Sequence, residues 1–344
     1  MLQGAEPYAV CSNLGKRCRL RLWTRQGAGG AWEALGQKQP HLPMGQHRGV
    51  ERRRQDIVKA LIVTADDFGM SHNTNEAIIR AFREGILTST SLMAGGAAFE
   101  HAVELAKANP GLSVGLHVVL VQGKSVLPHK RIPHLVDAEN NFANNPTLAG
   151  LRYYFSQSAI KEVRDEVQAQ LEKFLSTGLR LDFINGHLNI HVHPSVFGII
   201  QELAKGLELK CFRLPRDELS QTLRHDRGRI ISKLFDYITF TILSGRCVNT
   251  LKGNGFLFTD RVYGLLQSGD MNARYVASII RNMPEGVTEM YFHPCIMPCR
   301  EYSEWMPNYH PEEEFNALTS GEIRGLLCSN SVRLANYTVL REKI

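Results

Sequence analysis

The run from Val58 to Ala65, VKALIVTA, carries only Lys59 and Thr64 as polar members and ends in the adjacent carboxylates Asp66 and Asp67, followed by Phe-Gly. An apolar run of this length reads as a strand buried on both faces, as found in parallel sheets covered by helices. Two like charges where such a strand hands over to a loop are unfavourable unless a positive group compensates them. This one stretch therefore predicts an α/β chain and a source of positive charge at the end of its first strand.

The segments that follow keep the same rhythm. Ser71 is placed to cap a helix, NTNEAIIRAFREG, that stops at Gly85. ILTSTSLMA and LSVGLHVVL read as strands on either side of the amphipathic helix FEHAVELAKAN, giving βαβαβ. Residues 121–158 interrupt the pattern and read as a loop-like insertion carrying the aromatic cluster RYYF. Beyond it, AIKEVRDEVQAQLEKFLSTG is a periodic helix, LDFING and KCFRLP are strands, and 218–245 is a long helical stretch. A helix near 272–282, the strand TEMYFH, a helix at 310–327 and a last strand, VRLANY, complete the chain. About seven strands alternate with helices. A (β/α) barrel and a doubly wound sheet both fit, and in either the active site lies at the C-terminal strand ends.

Charge is unevenly placed. Residues 1–55 hold ten Lys/Arg and three Asp/Glu, so the net +6 of the 344-residue chain belongs to this Gly-, Gln- and Arg-rich segment and the rest is near neutral. That argues against a nucleic-acid footprint on the folded body. The segment reads as disordered and basic, with Met44 as an alternative translation start, and the folded domain is expected over 56–344. The seven cysteines are an odd, scattered set that reads as reduced thiols in a cytoplasmic protein. Cys295 and Cys299 lack the second pair that a four-cysteine zinc site needs.

Ionisable groups recur where strands end. The first strand gives Asp66 and Asp67, the third His117, the fourth Asn185, His187, His191 and His193, the fifth Arg213 and Arg216, and a late one His293. Taken singly, each has an ordinary explanation: a helix cap for the aspartates, a satisfied histidine, a surface ion pair for an arginine. Taken together on one parallel sheet they converge, and a carboxylate with two or three imidazoles suits Zn²⁺, Mn²⁺ or another first-row divalent cation. Such an ion would be the compensating charge. It acidifies water and polarises a carbonyl, a neighbouring carboxylate takes the proton, and a histidine protonates the leaving group. No P-loop or GxGxxG after the first strand competes with this reading.

ADDFG, GLH, the His-rich stretch before Pro194 and FHP, in that order, resemble the YdjC-like carbohydrate deacetylases, over all but the N-terminal segment. HVVLVQGKSVLP, LRYYF, FRLPR and RVYGLLQSGDM look like the branch associated with hopanoid biosynthesis. The resemblance implies a distorted (β/α) barrel and a divalent metal ion, Mg or Zn, on Asp67, His117 and His187. It further implies Asp66 as general base, His293 as acid or transition-state stabiliser, and Arg213 and His191 near the substrate. The implied substrate is an N-acetylglucosaminyl hopanoid glycolipid. A chito-oligosaccharide, a metal-dependent esterase or phosphoesterase reaction, and a non-catalytic sugar- or lipid-binding role are the alternatives. Asn189 departs from the chito-oligosaccharide members, which carry a histidine there, and leaves sugar specificity open. The implied setting is cytoplasmic, with peripheral contact at the inner membrane through 121–158 or LFDYITFTILSG, and a homodimer among the possible partners. For LFDYITFTILSG a core helix is the preferred alternative.

Overall fold

The computed structural model describes residues 59–207 and 209–343. The basic segment 1–55 lies outside the described residues. The elements in chain order are β1 (Lys59–Phe68), α1 (His72–Glu84), β2 (Ser89–Leu92), α2 (Phe99–Lys107), β3 (Ser113–Val118), α3 (Pro146–Phe155), α4 (Gln157–Ser176), β4 (Phe183–Gly186), α5 (Pro194–Leu203) and β5 (Cys211–Phe212). They continue with α6 (Leu219–His225), α7 (Ile230–Gly253), β6 (Arg261–Tyr263), α8 (Ala273–Asn282), β7 (Gly286–Phe292), α9 (Arg300–Trp305), α10 (Pro311–Thr319), α11 (Gly321–Ser329) and β8 (Val332–Ala335).

Every strand pairing is parallel, in the order β5-β4-β3-β2-β1-β7-β6. Because β7 occupies one edge of β1 over Lys59–Ala65, β8 and β2 share the other, β8 along 59–62 and β2 along 64–68. The sheet curls until its ends approach. Leu257 donates to the Lys210 carbonyl (2.6 Å) and accepts from Phe212 N (3.0 Å), and Val262 N donates to the Arg216 carbonyl (3.1 Å). These bonds tie the β5 edge to the β6 side, so the fold is the distorted (β/α) barrel.

Alternation along β1 sorts its side chains by face. Leu61, Val63 and Ala65 join the large core beneath the helices, whereas Ala60 and Ile62 join a small inner core with Phe183, Cys211, Val287 and Tyr337. The Tyr337 ring stacks on Phe183 at 3.8 Å and fills the inside of the curl. At the C-terminal edge, Gly95 and Gly96 allow loops to close on one another. A Cβ on Gly96 would lie 2.2 Å from the Gly69 carbonyl oxygen, and one on Gly95 2.0 Å from that of Lys124.

Several segments differ from expectation, among them 218–245, which is not one helix but α6 and α7 parted by residues 226–229. The RYYF cluster is helical, not loop: Asn145 caps α3 by accepting from Leu148 N, and Pro146 supplies a preset φ in the first turn. The stretch 310–327 is two helices, because Ser320 ends α10 with an extended backbone and caps α11. Finally, α7 is not a core helix. Its buried positions are Lys233, Ser244, Cys247 and Leu251, while Ile230, Ile231, Leu234, Phe235, Ile238 and Ile242 are exposed.

Candidate active site

The adjacent aspartates sit in an irregularity of the β1–β2 ladder. Ala65 is opposite Thr90 and Phe68 opposite Leu92, so two residues of β1 face one of β2, Ser91. Regular alternation would turn Asp66 inward, like Ile62 and Thr64, and Asp67 outward, like Ala65. Asp67 instead adopts φ 65, a left-handed conformation that aspartate tolerates better than most residues. The bulge thus brings both carboxylates to the same end of the sheet, each 2% exposed or less.

Asp67 Oδ1 lies 3.2 Å from His117 Nε2 and 3.0 Å from His187 Nδ1, and the two ring nitrogens are 3.4 Å apart. Donors bound at about 2.1 Å to one first-row divalent cation are spaced by about 3.0–3.4 Å, so this donor set fits such an ion. The outer contacts agree. His117 Nδ1 lies 2.8 Å from Asn185 Oδ1, which directs its Nε2 lone pair to the cluster, and the Tyr302 hydroxyl donates to Asp67 Oδ2 (3.0 Å). Burial opposes charge on Asp67, yet the His187 and His117 imidazoles hold its carboxyl well below the usual range. Burial likewise opposes charge on His117, yet Asp66 and Asp67 raise its pKa. Both directions describe a buried cluster that attracts positive charge.

Asp66 is wired to the same cluster. Its Oδ1 accepts from Ser91 Oγ (2.8 Å) and Asn185 Nδ2 (3.0 Å), and its Oδ2 from Arg213 Nη1. Arg213 also donates to Glu289 Oε1 from Nε (3.0 Å) and Nη2 (2.7 Å), and stacks over Tyr291. Thr64 and Tyr337 complete the shell of Glu289. Burial works to protonate Asp66, and the Arg213 guanidinium, with His117 and His293, overrides it, so the carboxyl is ionised at neutral pH.

The other expected residues fall around this network. Arg213 is buried with its guanidinium engaged by the two carboxylates, while Arg216 is exposed. His191 is buried and lies 3.0 Å from the Arg213 carbonyl through Nε2. Burial, with Arg213 nearby, pushes its pKa down to about 3. His293, just after β7, is 7% exposed, and its Nδ1 is buried without a hydrogen-bond partner. Burial lowers its pKa against the pull of Asp67 and Asp66. Its backbone N–H donates to Glu314, whose pKa burial pushes up to about 8. Leu188 and Asn189 both have positive φ, and this double left-handed turn after β4 sets the direction of His187.

Sequence reasoning missed Ser91, Glu289, Tyr302 and Glu314. None sits in a motif that announces it. Asn185 was visible among the strand-end groups without a role. A cavity of about 200 Å³ opens nearby between the loops after β1, β2 and β3 and helix α9, lined in part by Met70, Met93, Val119 and Trp305.

Relatives carry a common description. The chain is 40% identical over 145 residues to a carbohydrate deacetylase of Brevibacillus brevis, a match covering 42% of this chain and 55% of that protein. A carbohydrate deacetylase of Clostridium beijerinckii is 42% identical over 145 residues, with 42% and 56% covered. These matches thus span little more than half of the relatives' length. A carbohydrate deacetylase of Vibrio parahaemolyticus is 28% identical over 280 residues, covering 81% of this chain and 96% of that protein. Among solved structures, a protein of Enterococcus faecalis V583 proposed to act in cellobiose-phosphate cleavage shares the fold, with TM-score 0.64 and 24% identity over 82% of this chain and 99% of that one. The family profile described as YdjC-like protein matches residues 60–329, and with the fold and the strand-end cluster in place the chain belongs to the YdjC-like family.

Proposed function

We propose that the protein is a metal-dependent hydrolase that removes the acetyl group from an N-acetylated amino sugar. The observation that carries this reading is the Asp67–His117–His187 donor set beside an ionised second carboxylate, Asp66. The description shared by the relatives supports the substrate class. A divalent ion on the three donors would acidify water and polarise the acyl carbonyl.

The remaining steps belong to side chains. Asp66 accepts the proton of the attacking water, and the Arg213 pairing keeps it ionised and fixed in direction. Arg213 is in this reading a positioning residue, since its donors are engaged by Asp66 and Glu289. His293, whose ring burial keeps neutral beforehand, takes over the proton that Asp66 removed from water and delivers it to the departing amine nitrogen. Amide C–N cleavage thus consumes one water and yields acetate and a free amine.

The finer assignment is a glycolipid with an N-acetylglucosaminyl head, as in the hopanoid-associated branch. HVVLVQGKSVLP, LRYYF and RVYGLLQSGDM support it, and with it contact with the bilayer that holds the tail. Acetate release from an N-acetylglucosaminyl lipid and from N,N′-diacetylchitobiose, with and without chelator, tests both levels. Chelator-sensitive release from the lipid alone is expected. Release only from the disaccharide overturns the glycolipid assignment, and no release from either by metal-loaded protein overturns the deacetylase.

A further inference from the structure

Helix α7 displays apolar side chains where a globular protein normally shows polar ones. Ile231 is 84% exposed and Phe235 69%, with Ile230, Leu234, Ile238 and Ile242 all near half exposed. At about 100° per residue these six fall within an arc of about 140°, which does not overlap the arc of the buried Lys233, Ser244, Cys247 and Leu251. The stripe therefore points away from the body. Helix α3 repeats the arrangement: Leu148, Leu151, Tyr154 and Phe155 are exposed on one side, and Ala149 and Tyr153 are buried on the other. Both helices abut the same segment. α7 contacts the 187–192 turn that carries His187, and Tyr153 and Tyr154 of α3 pack their rings against His193. The two helices that pack against the 187–193 segment thus carry ten exposed large apolar side chains, far more than scattered surface hydrophobics account for.

The charges beside the stripe identify its occupant. Arg224, Arg227 and Arg229 are exposed at its N-terminal end, and Arg246 and Lys252 are exposed further along. On the helical wheel, Arg246 borders the apolar arc and Lys252 lies within it, whereas Asp236 falls outside. Asp226 is paired with Lys233. A second copy of this face is a poor partner. Antiparallel pairing would set the arginines at the start of α7 against Arg246 and Lys252, and parallel pairing would set each against itself. An apolar stripe of aliphatic and aromatic residues rimmed by cations matches an anionic bilayer surface instead.

We propose that α7 and α3 form a docking face for an anionic lipid bilayer, which brings the candidate site to a substrate whose tail lies in the membrane. The face deepens the glycolipid reading and rests on it only for the location of the substrate. Among the described residues no helix is long and apolar enough to cross a membrane, so the contact is peripheral.

Flotation of the full chain with phosphatidylglycerol-containing and with pure phosphatidylcholine vesicles tests this. Ile231→Ser/Phe235→Ser removes exposed apolar contacts, and Arg227→Glu/Arg229→Glu removes the cationic rim. Each double variant should bind anionic vesicles about tenfold or more weakly than the parent, and the parent should prefer anionic to neutral vesicles. Turnover of a short-chain, water-soluble N-acetylglucosaminyl lipid analogue should be the same in all three proteins. Equal flotation of parent and apolar variant overturns the proposal. So does a parent dimer in sedimentation equilibrium that Ile231→Ser/Phe235→Ser converts to monomer, which would assign the face to a second copy. Flotation that depends on both patches, with no acetate released from any substrate, supports the docking face and overturns the deacetylase.

Discussion

Arg213 donates from Nη1 to Asp66 Oδ2 and from Nε and Nη2 to Glu289 Oε1, so one fully buried guanidinium is shared by two buried carboxylates. The three residues come from β1, β7 and the chain just after β5, and their network spans the inside of the curled sheet. Removing the cation leaves two buried carboxylates without the positive partner that compensates them. Arg213→Met should therefore destabilise the fold by about 3–5 kcal/mol, read as a lower midpoint in urea unfolding. A midpoint equal to that of the parent would show that the network does not hold the sheet together.

Asp66 stands next to the donor set without belonging to it. Asp66→Asn keeps the shape and removes the acceptor charge. Turnover should fall by about 10²-fold or more while metal content per chain stays at the parent value. Full activity in this variant would exclude Asp66 as the base, and loss of metal would place it among the ligands.

The Tyr302 hydroxyl donates to the Asp67 oxygen that is not shared with the histidines. Tyr302→Phe deletes only that bond. Affinity for a divalent ion, measured by calorimetric titration, should drop about tenfold to a hundredfold, because groups that orient a ligand carry that much of its binding. Unchanged affinity would mean that Asp67 is oriented by the bulge alone.

His191 supplies a pH signature. Its folded pKa of about 3 lies below the 6.5 of a free imidazole, chiefly through burial. Between those values the unfolded chain binds a proton that the folded chain does not, so stability decreases as pH falls from about 6.5 toward 3. His191→Gln places an amide N–H donor near the Arg213 carbonyl and removes the titration. Its unfolding free energy should decline less steeply with acid, by up to about 1.4 kcal/mol per pH unit. Parallel pH profiles for variant and parent would rule out His191 as a contributor to acid sensitivity.

Local pattern alone determined much of this protein. The uniform hydrophobicity of VKALIVTA demanded a strand covered on both faces, and the alternation that followed demanded a parallel α/β fold. Ionisable residues at successive strand ends announced a site, since parallel strands deliver their C-terminal ends to one side. What tertiary structure decided is how those groups face each other. Strict alternation would have separated Asp66 from Asp67, and only the bulge opposite Ser91, with its left-handed Asp67, brings them together. Glu289, Tyr302 and Glu314 lie 222 to 248 positions downstream of the aspartates, and no local period records such contacts. The α7 stripe shows the same limit: an apolar arc at helical spacing tells that a helix has two faces. Which of them turns inward depends on what the rest of the chain packs against it, and here Lys233, Ser244, Cys247 and Leu251 are held against the body while the richer apolar face is left to a partner.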